Sequence, residues 1–163
     1  MKDNIVGLLE DKLKKNFDIY YNFEYRGKKY DLFAKSHVKN IRTFLTKKDI
    51  IDCYENSEYI FVKKVCFLDI NKVKSFVDEL ININKDFVKP NSNHMSTFIT
   101  GFLIAENLTN DVKKFIKDFK YKKIYKFYLH GWSEVRIILV DLSCKEIIYS
   151  KNSKMLKRVL EAP

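Results

Sequence analysis

The residues able to do chemistry are few and scattered. Histidine stands at positions 37, 94 and 130, with no i/i+4 pair to set two imidazoles on one helix face. Cys53, Cys66 and Cys144 are odd in number and contain no C-x-x-C pair, which excludes the common zinc sites. They are expected to be small buried apolar residues in a reducing compartment. The four glycines, Gly7, Gly27, Gly101 and Gly131, each stand alone, so no phosphate-cradling loop is present, and neither G-x-S-x-G nor H-E-x-x-H occurs. Among the carboxylates, Asp31 in Tyr30–Lys35 and Glu58 with Lys63 or Lys64 are catalytic candidates. Their spacing is against a joint role, because Glu58 and Lys63 point to opposite faces of an alternating strand. The only Glu-x-Lys, Glu10–Lys12, lies in a helix. His94 is a fourth catalytic candidate, in the polar loop Pro90–Thr97. That loop precedes its strand, whereas ligand crevices of open α/β sheets lie beyond the carboxyl ends, so an anchoring histidine is the simpler reading.

Binding chemistry is better represented. The net charge is +10, carried by 27 lysines and only four arginines. Lys, Asn, Ile, Phe and Tyr, all with A/T-rich codons, supply 80 of the 163 residues. Base composition therefore accounts for much of the charge, and phosphate or base recognition would favour the planar fork of arginine. Residues 12–48 carry eleven Lys/Arg against three acids, and residues 113–126 carry seven lysines against Asp118. The second segment interleaves Lys113, Lys117, Lys120 and Lys123 with Phe115, Phe119, Tyr121 and Tyr125. Lysine with aromatic residues is the composition of a single-strand nucleic-acid groove; a solvated basic face above an apolar one is the alternative. The only tryptophan, Trp132, and Arg136 follow at once and complete the binding candidates.

The elements that must position these residues are legible from periodicity. A helix is expected over about 3–15, with Ile5, Leu8, Leu9 and Leu13 on one face and Asp3 as its cap. A period-two stretch from Phe17 to Tyr25, the turn Arg26-Gly27-Lys28, and a strand through Val38 predict a hairpin. Residues 41–45 read as a short further strand, 46–57 are ambiguous, and 59–68 form a buried strand. Asp69 caps a helix carrying Val73, Phe76, Val77 and Leu80. A strand over 95–105, a helix capped by Thr109 or Asn110, and a strand over 122–129 follow. A hairpin of 135–142 with 146–149 and a short helix close the chain. The prediction is one α/β (mixed α+β) domain over residues 1–163. Its single mixed sheet has a β-α-β-α-β centre with parallel crossovers, a helix and hairpin before it, and a hairpin and helix after it.

This order is similar to the core of the restriction-endonuclease-like fold; that resemblance implies a Mg²⁺ site of Asp31, Glu58 and Lys63 or Lys64 beside a scissile phosphate, where the metal would activate water and neutralise charge. The segments Tyr30–Lys35, Asn56–Lys64, Lys89–Gly101 and Gly131–Leu142 together resemble an uncharacterised family of bacterial and archaeal proteins carrying a domain of unknown function. That resemblance implies no activity, cofactor or partner. The leading expectation is a non-catalytic binding module for nucleic acid or another polyanion. The alternatives are a metal-dependent nuclease or phosphodiesterase, and a protein-interaction or structural domain. No cofactor is expected, with Mg²⁺ entering only under the nuclease alternative. No apolar run suits a signal peptide or a membrane span, so the expected location is the cytoplasm and no membrane partner is expected.

Overall fold

Three strands that are apolar on both faces set the architecture, because each needs cover from two sides. They are β3 (Ile50–Leu68), β4 (His94–Leu108) and β6 (Trp132–Asp141), and they run parallel, side by side. The computed structural model describes residues 2–43 and 50–161. Around the parallel trio the sheet order is β1-β2-β3-β4-β6-β5, with β7 also on β6. The hairpin strands β1 (Asp18–Tyr25) and β2 (Lys28–Thr43) extend it antiparallel from β3. At the other edge, β5 (Tyr121–Ile124) and β7 (Glu146–Tyr149) both pair antiparallel with β6. They lie end to end: β5 takes Trp132–Val135 and β7 takes Ile138–Asp141.

Helices cover both faces. The helix α2 (Ile70–Phe87) makes the crossover from β3 to β4, and α3 (Asn110–Asp118) lies on the same face. Phe76, Leu80 and Ile83 of α2 and Ile116 of α3 pack there on Phe61, Ile99, Leu103, Ile137 and Leu139. The opposite face carries α1 (Lys2–Leu13), whose Leu9 and Leu13 meet Leu32, Ile60, Phe102, Ile104 and Ile138. A 3₁₀ turn (Lys154–Leu156) and α4 (Lys157–Leu160) add Leu156 and Leu160 to that side. The result is a mixed α+β domain around one open mixed sheet, as expected, with helices on both faces making three layers.

Several local expectations change. β3–α2–β4 is a parallel crossover, but after α3 the chain first enters β5, which runs against β6, and it is β6 rather than β5 that lies parallel to β4. Helix α1 already includes Lys2, so Asp3 lies inside it rather than at its cap. Asp69 does cap α2, accepting the Lys72 amide at 2.8 Å. Thr109 holds the cap position of α3 without a side-chain bond to the helix backbone. Residues 41–43 continue β2 and 50–57 belong to β3, while 44–49 and the side chain of Cys53 lie outside the described residues. Cys66 and Cys144 are exposed rather than buried.

The alternation of β1 and β2 also breaks. Ile19 packs on the α1 side and Phe23 on the α2 side, although four residues apart they should share a face. Asn22 between them has φ +48°, which turns the strand over. In β2, Tyr30 and Leu32 are divided in the same way, and the Asp31 carboxylate accepts the Lys64 amide at 2.7 Å.

Helix α2 sits close on β4 because Gly101 has no side chain. A Cβ there would overlap Leu80 Cδ1 and lie 2.6 Å from Phe76 Cε1. Gly101→Ala is therefore expected to destabilise the protein by roughly 1–3 kcal/mol through overpacking. Urea unfolding should show a lower midpoint with an unchanged slope; an unaltered midpoint would mean that α2 has room to move.

Candidate functional site

The residues proposed for catalysis do not assemble. Asp31 lies beside Lys64, whereas His94 pairs with Glu55, nine residues back along β3, or ~30 Å at the rise of a strand. Glu58 and Lys63 are five residues apart, ~16 Å, and face opposite sides. Lys63 lies on the α2 face, 3.9 Å from Glu79 of that helix and over the Tyr30 ring. Glu58 points to the α1 face. There burial raises its carboxyl pKa, with the charge of Arg136 opposing. Among the described residues no three His, Cys, Asp or Glu side chains are grouped to hold a metal ion. The set Asp31, Glu58 and Lys63 thus does not fit Mg²⁺.

Glu58 and Arg136 lie within electrostatic reach of one another on the α1 face. The Arg136 guanidinium lies 3.8 Å from the centre of the Phe98 ring and 3.4 Å from the Glu134 carboxylate, and its residue is buried. Burial lowers its pKa, against the pull of Glu134 and Glu58. The stack on Phe98 suits a guanidinium, whose flat face is weakly hydrated. Arg136 therefore organises the α1 face between Phe98 and Glu134 and has little surface left for a partner.

Lys113 is likewise occupied. Its ammonium lies 2.9 Å from Asp141, 2.7 Å from Glu146 and 3.4 Å from the Cys144 sulfur. Asp141 is buried at the end of β6, where its carboxylate also accepts the Ser143 hydroxyl (2.6 Å), the Ser143 amide (3.0 Å) and the Cys144 thiol (3.1 Å). Burial alone would raise this carboxyl. The bonds from Ser143, Cys144 and Lys113 outweigh it and hold the pKa well below the carboxylate range. Lys117, exposed on the same helix, also acts on Glu146.

Of the remaining binding candidates, Lys120 and Tyr121 lie at the start of β5, with Tyr121 paired to Val135, while Lys123 and Trp132 adjoin the turn that joins β5 to β6. The expected strand over 122–129 stops at Ile124. Lys126, Phe127 and Tyr128 take φ of +45°, +51° and +71°, and Gly131 takes +73°. Each left-handed non-glycine residue costs about 1–2 kcal/mol. Backbone bonds hold the turn: Leu129 to Lys126 (2.9 Å), His130 to Tyr125 (3.2 Å) and Gly131 to Tyr128 (3.0 Å). Gly131 is needed as glycine, since a Cβ would strike the Met95 carbonyl.

His94 bolts this turn to the sheet. Its Nδ1 is 2.6 Å from the His130 carbonyl, and its Nε2 is 2.8 Å from the Thr97 hydroxyl. A carbonyl can only accept, so Nδ1 carries the proton and, in the neutral ring, Nε2 accepts from Thr97. The Tyr125 ring stands edge-on to the imidazole, with centroids 5.9 Å apart, and the Tyr125 hydroxyl bonds Ser133 at 2.9 Å.

What the turn presents is basic and aromatic. Phe127 is 96% exposed, Leu129 75% and Tyr128 53%. The Lys122 ammonium lies 5.5 Å from the Tyr128 ring centre and 5.4 Å from that of Trp132; these two rings pack edge-on, 6.2 Å apart. Lys123 lies over Tyr125, Lys126 is exposed in the turn, and Lys120 is exposed just before β5 begins. Lys122, Lys126, Phe127 and Tyr128 were absent from the sequence-derived candidates. The available signal was the run Phe127-Tyr128-Leu129, three bulky residues that an alternating strand cannot place on one face.

The fold is a three-layer mixed sheet that carries a lysine–aromatic turn at one edge. Over residues 2–162 the chain matches the family model described as a domain of unknown function (DUF8052), and it belongs to that family. No curated protein and no solved structure matches it. Among the described residues no helix is long and apolar enough to cross a membrane.

The Asp141 cluster has a pH signature. Its native pKa is depressed, so its contribution is present above the unfolded value of about 3.9 and is lost as pH falls toward the native value. Asp141→Asn is expected to cost roughly 2–4 kcal/mol at pH 7. In urea melts the gap from wild type should narrow at pH 3. A gap of constant width would show that charge is not what the substitution removes.

Proposed function

We propose that this chain is a non-catalytic binding module that holds single-stranded nucleic acid at the corner formed by residues 120–132. The observation that carries the reading is the nearly complete exposure of Phe127 on a strained turn that follows the lysine-rich strand β5. Sparsely populated backbone conformations persist where surrounding structure enforces them, and they cluster at ligand-binding sites. Here the conformation thrusts an aromatic ring into water at a cost in stability that core packing does not require. Phe127, Tyr128 and Trp132 would supply stacking faces for bases, and Lys120, Lys122, Lys123 and Lys126 would meet the phosphates. Stacking of this kind tolerates any base, and the lysines act as point charges without base readout. The scarcity of arginine is therefore no obstacle to a partner bound without sequence preference.

The reading includes a cytoplasmic location, where the exposed thiols of Cys66 and Cys144 stay reduced. It requires neither cofactor nor catalytic step. The nuclease alternative has no geometric support, given the separation of Asp31, Glu58 and Lys63.

Trp132 is the only tryptophan, so its fluorescence reports on the corner directly. Titration with oligo(dT) or oligo(rU) is expected to quench it, with affinity falling steeply between 50 and 200 mM salt, as about 0.7 counterions leave per phosphate neutralised on a single strand. Phe127→Ala should weaken binding about tenfold or more, since stacking is worth ~1–3 kcal/mol per base. Lys122→Ala with Lys126→Ala should flatten the salt slope. Saturation of the corner by anionic vesicles with no response to oligonucleotides, or salt-insensitive binding, would overturn the proposal.

A further inference from the structure

On the α1 face the protein leaves a cavity of about 330 Å³ among its own apolar side chains. Helix α1 contributes Ile5, Leu8 and Leu9 to the walls, the sheet contributes Phe102, Ile104 and Val140, and the far side is closed by Leu142, Ile147 and Leu160. The volume falls in the range of small-molecule sites, which are mostly apolar with a few placed polar groups. Of the lining residues only Lys12 and Lys145 are polar, and no acid is among them. Both lysines are exposed, so their ammonium groups stand at the mouth while the interior is hydrocarbon.

The position reinforces the composition. Ile104, Val140 and Leu142 lie toward the carboxyl ends of the parallel strands β4 and β6, where open α/β sheets receive ligands. Ile5, Leu142, Ile147 and Leu160 remain only half-buried around the space. An aliphatic chain entering it would remove more of their surface from water, at about 25 cal/mol per Å². A cavity with an apolar interior and two cations at its rim is complementary to one kind of molecule, an apolar chain ending in an anion.

We propose that the cavity between α1 and the sheet binds a free long-chain carboxylate, its acyl chain among Leu9, Phe102, Ile104 and Ile147 and its carboxylate at the mouth beside Lys12 and Lys145. The site is on a different surface from the 120–132 corner and stands independently of the function proposed for it.

Calorimetric titration of the full chain with dodecanoate, dodecan-1-ol and dodecyltrimethylammonium, each below its micellar concentration, tests the proposal. Dodecanoate is expected to bind at a single saturable site, about tenfold tighter than the alcohol, with the cation weakest. Lys12→Gln with Lys145→Gln should bring dodecanoate to the affinity of the alcohol while leaving the alcohol unchanged. Ile147→Trp, which fills the cavity, should abolish binding of both, and Leu142→Trp provides the same test should the first variant not fold. Absence of saturable dodecanoate binding, equal affinity for the three head groups, or undiminished binding by a folded cavity-filled variant would each overturn it.

Discussion

The contact between α2 and β4 across Gly101 is the constraint on which the rest of the structure depends. Because β3 and β4 are parallel, the chain must cross from the end of one to the start of the other, and α2 makes that crossing. Its Phe76 and Leu80 occupy the space that a side chain at position 101 would take. The helix is thereby fixed at short range over the middle of the sheet. Its polar flank then gathers the hairpin: Glu79 receives the Tyr30 hydroxyl at 2.9 Å, and Asp86 receives that of Tyr25 at 2.8 Å together with Arg26. With β4 buried on both faces, a second layer is obligatory on the far side, and α1 supplies it.

The lysine–aromatic corner depends on the same scaffold at one remove. His94 opens β4 and grips the carbonyl of His130, so the start of the central strand and the end of the turn are one unit. The turn is displayed by the rigid sheet rather than carried on a free loop, with its conformation enforced by hydrogen bonds at the base. Near this base, Ser133 receives the Asn84 amide of α2 at 3.0 Å, tying the turn back to the helix that crosses over Gly101. Exposed rings on a fixed base lose little freedom when something binds them, which is the condition for useful affinity from a small surface.

Much of this was legible in the chain and some was not, for physical reasons. The amphipathic periods of α1, α2 and α3, the Asp69 cap and the Arg26-Gly27 turn are local signals, and each produced the element it indicated. The failures concern information that a period does not carry. The direction of β5 is set by where α3 leaves the chain, not by its composition. The exchange of faces at Asn22 comes from one left-handed residue that reads as an ordinary polar position in an alternating strand. The same applies at 126–128, where lysine and aromatic side chains adopt backbone angles usually left to glycine. Arg136 and Lys113 stand out in the sequence by their charge, and Glu134 two residues from Arg136 is a legible partner, but Phe98, Asp141 and Glu146, which also occupy them, lie on other elements. The lysine–aromatic interleaving of residues 113–126 is legible whichever secondary structure it adopts.

The end-to-end arrangement of β5 and β7 has a consequence for how the molecule behaves among its own copies. A long, straight outer strand offers a row of unpaired amides and carbonyls on which another chain can template itself. Here that border is two four-residue pieces, with the Asn152 side chain donating across the junction to the carbonyls of Tyr121 and Val135 at 3.3 and 3.1 Å. The Lys151 amide is spent on Phe119 and that of Ser150 on Ile137. A foreign strand would find its register interrupted after four residues and an asparagine already occupying the gap. The suture at Asn152 thus acts as a built-in stop against strand addition, on the margin of the sheet that carries the exposed aromatic turn.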